Sequence, residues 1–256
     1  MKGNNKVVII TGSGGKGSGR AMALKFAKEG SHVIVSDINE KGGHETVRII
    51  KEKNGKAIFF GADISREKDV QNLISIVVDT YGRLDVLVNN AQNFIPDLLN
   101  GWFEQVQTNI IGTMYCIKYA VDSMKETGGG AIVNMSSVSA LKYTQSNSPA
   151  YDASNAAILR LTAGLIRLKE LHNIRVNTLA SDWIGTEEIL AYIATLTPEQ
   201  RTQRQVPEML NTPESIADAV YQLAMDQTLF SRIMVCWCGQ PKKFIPFESF
   251  GYSHLE

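Results

Sequence analysis

The sequence predicts an α/β fold, in which a doubly wound and mostly parallel sheet of seven strands carries helices on both faces. Short apolar runs rich in Val and Ile alternate with helical patterns along the chain. These runs show little polar alternation, which is typical of strands buried on both faces. Regular β-α-β alternation gives right-handed crossovers and places a binding site at the carboxyl ends of the strands.

The predicted strands lie at 7–11, 32–36, 57–61, 86–89, 131–135, 175–179 and 233–237. The predicted helices lie between them, at 19–29, 41–53, 67–81, 101–126, 150–171 and 213–225. The long irregular stretch 181–212 is expected to be either a mobile lid over the site or an ordered surface excursion. We expect residues 1–256 to form one domain, with that stretch and a C-terminal tail at 241–256 as its additions.

Composition narrows the class of partner. With 256 residues, of which 44% are apolar and 20% charged, the chain can bury a sizeable core. The formal net charge is zero, which argues against nucleic acid or an anionic membrane as a partner. No secretion signal or membrane-length apolar run is visible, and three cysteines are too few for a disulfide framework or a zinc site. We therefore expect a cytoplasmic protein that binds a small molecule and no metal.

The stretch from Lys6 to Ala23 carries the strongest binding signal. An apolar run ends in five glycines between Gly12 and Gly19, and a helical pattern follows from Arg20. Glycine lets the backbone approach a ligand closely, and the N–H groups at a helix N-terminus attract anions. The stretch therefore predicts a phosphate site, although a tight turn that binds nothing would show the same pattern.

Acidic residues follow the next two predicted strands. Asp37 lies eighteen positions after Gly19, where a carboxylate can accept hydrogen bonds from both hydroxyls of an adenosine ribose. It also repels a 2′-phosphate, so NAD(H) is preferred over NADP(H). Lys16 in the glycine loop would favour that phosphate, but repulsion from Asp37 at contact distance outweighs it. Asp63 could contact the adenine, act as the N-cap of the next helix, or do both.

Further motifs follow along the chain. Together with the glycine loop T11-G-S-G-G-K-G-S-G19 they are Asp37, Asp63, N89-N-A-Q92, Asn109, I132-V-N-M-S-S137 and Y151-D-A-S-N155. In order and approximate spacing, from residue 6 to about 239, they resemble the short-chain dehydrogenase/reductase family. The resemblance implies a Rossmann-type fold and an NAD(H)-dependent oxidoreductase that acts on a small carbonyl compound or secondary alcohol.

The resemblance also implies roles for individual residues. Tyr151 would give or take the hydroxyl proton, Ser137 would hold the substrate oxygen, and Asn109 would hold a relay water. Asn155 stands where the family has a lysine, and it can donate a hydrogen bond to a ribose hydroxyl but carries no charge. The implied cofactor-binding residues are Gly12, Gly17, Ser18, Gly19, Asp37, Asp63, Asn90, Asn155 and Thr186.

The missing lysine predicts slow or atypical chemistry. A cation about 5 Å from the phenol, at an effective dielectric constant of about 20, would favour the phenolate by roughly 3 kcal/mol. Without it Tyr151 stays protonated at neutral pH, which slows alcohol oxidation. Gln92 replaces a family glycine and brings a side chain into the crevice, and Asp182 brings a carboxylate near the nicotinamide. The serine-to-tyrosine spacing is one residue longer than usual, which makes Ser139 a possible replacement for Ser137.

Two alternatives to an oxidoreductase stay open. Ser137, Tyr151 and Asp182 could carry out proton transfer without redox chemistry, as in an isomerase, dehydratase or lyase. The loss of the lysine would also suit a non-catalytic NAD-binding protein.

The resemblance further implies a homodimer or homotetramer built on helices 101–126 and 150–171, unless those helices are simply part of the core. The tail from Pro241 is expected to pack against a neighbouring subunit because it carries four aromatic residues, Phe244, Phe247, Phe250 and Tyr252.

Overall fold

The protein is built on one sheet of eight strands, in a computed structural model that describes residues 5–142 and 146–246. The strands are β1 Val7–Thr11, β2 His32–Asp37, β3 Lys56–Gly61, β4 Val86–Asn89, β5 Gly130–Ser137, β6 Ile174–Ser181, β7 Ile233–Cys236 and β8 Lys243–Phe244. Their order in the sheet is β3-β2-β1-β4-β5-β6-β7-β8, and all pairs are parallel except β7 with β8. The predicted seven-stranded parallel sheet is therefore confirmed, with one short antiparallel strand added at its edge.

The helices pack on both faces of this sheet. They are α1 Ser18–Lys28, α2 Glu40–Glu52, α3 Glu67–Tyr81, α4 Trp102–Val106, α5 Thr113–Glu126, α6 Pro149–Gly164, α7 Arg167–His172, α8 Glu187–Ala194, α9 Pro198–Gln203 and α10 Pro213–Met225. A π-helical segment, Gln107–Gly112, joins α4 to α5, and a 3₁₀ turn, Val138–Leu141, follows β5. Within the described ranges, no helix has both the length and the apolar character needed to cross a membrane.

Alternation along β1 shows how the two faces are filled. Val8 and Ile10 point to the face that buries Phe26 of α1 and Val220 of α10. Val7 and Ile9 point to the other face, which α3 and α5 cover. Because both sets are fully or almost fully buried, a strand without polar alternation is what this position requires.

One long predicted helix is wrong. The segment 150–171 breaks at Leu165, whose backbone (φ −92°, ψ 11°) ends α6 before α7 begins at Arg167. The apolar period continues across the break, and Gly164 is its only local signal. In contrast, the segment 101–126 is helical almost throughout, with the π-helical segment inside it.

The stretch 181–212 is an excursion that contains α8 and α9. Its base is closed by a bridge between Ile184 and Asn211, with backbone hydrogen bonds of 2.8 Å from Gly185 N to Asn211 O and 3.0 Å from Asn211 N to Trp183 O. Its movement as a lid stays a prediction. The C-terminal tail begins with β8, and Phe247, Phe250 and Tyr252 lie outside the described residues.

The strand order places a crevice at one edge of the sheet. The parallel strands all end at this edge, which we call the carboxyl edge, and begin at the opposite amino edge. The chain leaves β1 towards β2 on one side and leaves β4 towards β5 on the other. Neighbouring strands whose connections diverge open a ligand crevice between them.

Candidate active site

The glycine loop lies between β1 and α1, against the end of β4. Gly12 has φ +66°, and a Cβ there would lie 2.7 Å from the Cα of Ala91. A Cβ on Gly19 would lie 2.1 Å from the carbonyl oxygen of Gly12. Since neither position can hold a side chain, the N-terminus of α1 reaches the end of the sheet only with glycine there.

Asn90 holds this loop in place. Its Nδ2 donates to the carbonyl oxygens of Gly12 and Thr11 at 2.9 and 3.0 Å, and its Oδ1 accepts from the Ser18 hydroxyl at 3.2 Å. The side chain thereby joins the end of β4 to both ends of the loop.

Asp37 ends β2 and faces the same crevice. Its carboxylate accepts hydrogen bonds from the backbone N–H groups of Gly14 and Asn39, at 2.7 and 2.8 Å. Lys16 is paired with Glu187 of α8 at 2.8 Å, with both side chains mostly exposed. The cation of the loop is thus directed towards the excursion and not towards Asp37.

These residues enclose a crevice of about 730 Å³, large enough for a dinucleotide. Every predicted cofactor-binding residue lines it except Asn155. Asp63 lines it too, but it is not the N-cap of α3, so that alternative is wrong. Arg66 occupies the cap position, while Asp63 accepts from the backbone N and hydroxyl of Ser65 at 3.0 and 2.7 Å. Residues 64–66 form a turn between Asp63 and the first residue of α3.

Tyr151 lies in the first turn of α6, and Ser137 lies at the end of β5. Burial of its hydroxyl raises the pKa of Tyr151, and hydrogen bonds with Ser137 and Asn155 only partly offset that rise. The ring of Phe94 packs edge-on against Tyr151, with centroids 5.1 Å apart. Tyr151 therefore holds its proton at neutral pH and suits the role of an acid.

Ser139 lies two residues beyond Ser137, in the 3₁₀ turn. Its backbone N donates to the Ser137 hydroxyl at 3.1 Å, whereas its own buried hydroxyl has no hydrogen-bond partner within the described residues. Ser137 is the serine that reaches Tyr151, and Ser139 positions it.

Asn155 is fully buried one helical turn after Tyr151. Its Nδ2 donates to the carbonyl oxygen of Tyr151 at 2.9 Å, and its Oδ1 accepts from Nε2 of Gln92 at 3.1 Å. The same Nε2 donates to the carbonyl oxygen of Met135 at 3.2 Å. The side chains of Gln92 and Asn155 thus contact each other although 63 positions separate them.

Asn109 lies in the π-helical segment and is also buried. Its Oδ1 accepts from the backbone N of Asn93 at 2.6 Å, and its Nδ2 donates to the carbonyl oxygen of Asn93 at 2.9 Å. The side chain fixes the loop after β4. Its role in holding a relay water stays a prediction.

A buried polar chain fixes α6 on the sheet. Asn89 donates to Asn134 at 2.8 Å, Asn134 donates to Thr162 at 3.0 Å, and the Thr162 and Thr178 hydroxyls lie 2.6 Å apart. These bonds join β4, β5, α6 and β6, so the helix that carries Tyr151 has a fixed position.

Two acidic residues of the crevice are absent from the sequence prediction. Glu187 and Glu188, in the first turn of α8, line the crevice beside the glycine loop. The local signal was a helix start, since Thr186 precedes two acidic residues and an apolar run, and its side chain accepts from Ile189 N at 3.3 Å. Asp182 does not line the crevice, and its carboxylate accepts from the backbone N of Cys238 at 3.4 Å. Within 5–142 and 146–246, no three His, Cys, Asp or Glu side chains are arranged to hold a metal ion.

Comparison with known proteins agrees with this geometry. The family model described as short chain dehydrogenase matches residues 6–191, well over half of the chain. The chain belongs to the short chain dehydrogenase family. An uncharacterized oxidoreductase of Thermotoga maritima is 36% identical over 240 residues, which cover 90% of this chain and 94% of that protein. The cyclohexanol dehydrogenase of an Acinetobacter species is 31% identical over 233 residues, covering 89% and 90%.

A solved structure of this family has the same fold. A 7α-hydroxysteroid dehydrogenase, complexed with NADH and 7-oxo glycochenodeoxycholic acid, superimposes with a TM-score of 0.83 at 28% identity. The superposition covers 91% of this chain and 93% of that one. The named relatives are oxidoreductases and dehydrogenases, and the chain belongs to that family and has its Rossmann-type fold.

Proposed function

We propose that this short chain dehydrogenase is an NAD(H)-dependent oxidoreductase that reduces a small carbonyl compound to a secondary alcohol, and runs the reverse reaction slowly. The observation that carries the proposal is the buried hydroxyl of Tyr151, which is bonded to Ser137 and to Asn155, the partner of the crevice residue Gln92.

The crevice suits NAD(H). Its glycine loop and the N-terminus of α1 can hold a pyrophosphate, and Asp37 can accept from ribose hydroxyls. Asp37, Asp63, Glu187 and Glu188 all line it, whereas Lys16 is already paired with a carboxylate. This excess of negative charge disfavours an additional 2′-phosphate. When bound, the cofactor supplies or accepts a hydride.

The protein residues handle the proton. Ser137 can donate a hydrogen bond to the carbonyl oxygen of the substrate, which polarises the carbon that receives the hydride. Tyr151 then gives its proton to that oxygen, so that the product is a neutral alcohol and Tyr151 is left as phenolate, which solvent reprotonates. The reverse reaction needs phenolate first, and among the described residues no cation lowers the pKa of Tyr151 to favour it.

A non-redox proton transfer is the second candidate. Neither Tyr151 nor Ser137 lines the dinucleotide crevice, which is the observation that favours it. The two reactions differ in one readout, because only the redox reaction changes the nicotinamide absorbance as product forms.

The decisive experiment is a screen of small ketones and aldehydes with NADH, in parallel for wild type and Tyr151→Phe. We expect NADH oxidation by wild type and a loss of about 10²- to 10⁴-fold in Tyr151→Phe, the usual contribution of a general acid. Equal rates in the two proteins would exclude Tyr151 as the acid. Product without NADH oxidation would favour the second candidate.

We also propose a cytoplasmic homodimer or homotetramer. Large apolar side chains are exposed along 98–114, namely Leu98, Leu99, Trp102, Phe103 and Met114. Exposed apolar groups in such number favour association. Light scattering should show an oligomer for wild type and a monomer for Phe103→Glu, and a monomeric wild type would contradict this.

A further inference from the structure

The side chains of Gln92 and Asn155 are bonded to each other, although they lie far apart in the sequence. Nε2 of Gln92 lies 3.1 Å from Oδ1 of Asn155 and 3.2 Å from the carbonyl oxygen of Met135. Both acceptors fix the direction of the Gln92 amide. Nε2 therefore faces the protein interior, and the amide can turn over only by losing both bonds.

The polar atoms of Asn155 are used within the protein. Its Nδ2 binds the Tyr151 carbonyl oxygen at 2.9 Å, its Oδ1 binds Gln92, and its backbone carbonyl accepts from the Ser136 hydroxyl at 3.0 Å. The residue is fully buried and does not line the crevice. Asn155 is thus placed to serve Tyr151 and not a ligand in the crevice.

Gln92 has the opposite placement. It lines the crevice, and its Oε1 accepts no hydrogen bond within the described residues. We propose that Gln92 and Asn155 act as one amide pair with divided roles: Asn155 positions Tyr151, and Gln92 presents Oε1 to a hydroxyl group of the bound dinucleotide. This inference rests on the proposed function, since it requires a dinucleotide in the crevice.

The pair explains why the two positions differ from the family together. A glycine at 92 would leave the buried Oδ1 of Asn155 without its donor. A lysine at 155 would remove the Oδ1 that accepts from Gln92 and would put a second donor in its place. Each replacement is tolerable only in the presence of the other.

The cofactor role is tested by titrating NADH into wild type, Gln92→Met and Gln71→Met. Methionine keeps the length of glutamine but removes the amide, and Gln71 is an exposed residue of α3 outside the crevice. We expect NADH to bind Gln92→Met about fivefold more weakly than wild type, the effect of one hydrogen bond, and Gln71→Met to bind it unchanged. Unchanged binding by Gln92→Met would show that Gln92 makes no bond to NADH. Tighter binding would show that the Gln92 side chain obstructs the crevice. Either result would overturn the role.

The coupling is tested by the melting temperatures of Gln92→Gly, Asn155→Lys and the double variant, without any cofactor. We expect Asn155→Lys to melt lower than the double variant, in which the facing donor is gone. Additive changes would overturn the pair.

The pH profile of alcohol oxidation tests the positioning role of Asn155. The profile of the double variant should move to lower pH, since a cation beside Tyr151 favours phenolate. An unmoved profile would overturn that role. A folded wild type that does not bind NADH overturns the proposed function and the cofactor role of Gln92. The melting temperatures of the single and double variants test only the bond between Gln92 and Asn155, because they are measured without cofactor.

Discussion

The two edges of the sheet differ in what they bury. Within residues 5–142 and 146–246, the only buried charged side chains are Asp85 and Arg175, and both lie at the amino edge. Asp85 accepts from Lys6, Arg83 and the backbone N of Val7, at distances from 2.5 to 2.9 Å. At the carboxyl edge, the buried groups around Tyr151 are neutral amides and hydroxyls.

Arg175 shows why charge is tolerated at the amino edge. Its guanidinium donates to four carbonyl oxygens at and beyond the C-terminus of α10, those of Leu223, Ala224, Asp226 and Leu229. Burial lowers the pKa of Arg175, but the carbonyls at a helix C-terminus favour a cation. Complete sets of partners make the amino edge a stabilising region, while the buried neutral groups around Tyr151 leave it protonated.

The largest effect should appear in the pH dependence of alcohol oxidation. Burial raises the pKa of Tyr151 above its ordinary value of 10.0, and oxidation needs the phenolate. We expect the oxidation rate to rise roughly a thousandfold between about pH 7 and pH 10, while carbonyl reduction stays level. Initial rates in both directions measure this, with Tyr151→Phe as control. If the oxidation rate instead stops rising near neutral pH, the pKa of Tyr151 is lowered and a cation must lie near its hydroxyl, which would contradict this prediction.

Removing the buried guanidinium of Arg175 should lower the stability of the fold and leave the dinucleotide crevice unchanged. Arg175→Met leaves four carbonyl groups without their donor, so we expect a loss of roughly 3 kcal/mol in the free energy of unfolding. Urea titrations measure it, with the exposed Arg167→Met as control, and NADH affinity should not change. A loss of NADH affinity with normal stability would contradict the division between the edges.

Asp85→Asn should lower the free energy of unfolding by roughly 2 kcal/mol at neutral pH, because Lys6 and Arg83 lose their anionic partner and the amide offers one oxygen acceptor in place of two. Burial opposes ionisation of Asp85, but the bonds from Arg83, Lys6 and Val7 outweigh it and lower the pKa below 3.8. The stabilisation is therefore complete above pH 3.8 and is lost as the pH falls through the lowered value. Unfolding measured against pH should show wild type and variant converging in acid, and a constant difference would rule out this linkage.

The smallest effect concerns cofactor choice. Asp37→Asn keeps an oxygen acceptor for Gly14 N but removes the charge that repels a 2′-phosphate. We expect the preference for NADH over NADPH to fall about tenfold, or ~1.4 kcal/mol, in fluorescence titrations. Asp63→Asn is the matched control and should change the preference less. Equal shifts in both variants would mean that the overall charge of the crevice decides, and not Asp37.

Much of the fold follows from local patterns. The strands 7–11 and 86–89 were predicted with the bounds that the structure has, because buried parallel strands need contiguous β-branched residues. The break at Leu165 was missed because the apolar period fits a continuous helix equally well. The helix 67–81 was predicted with its correct bounds, but Asp63 was offered as its cap because an acidic residue shortly before a helix fits that role as well as Arg66 does.

Runs of neighbouring residues are enough to predict the sheet, the glycine loop and the acidic end of β2, and they place the neutral Asn155 one helical turn after Tyr151. Three contacts depend instead on packing: Gln92 binds Asn155, Asn109 holds the loop at Asn93, and Arg175 caps α10. Those pairs are separated by 63, 16 and 51 positions. A hydrogen bond over such distances depends on how strands and helices pack, which no local pattern records.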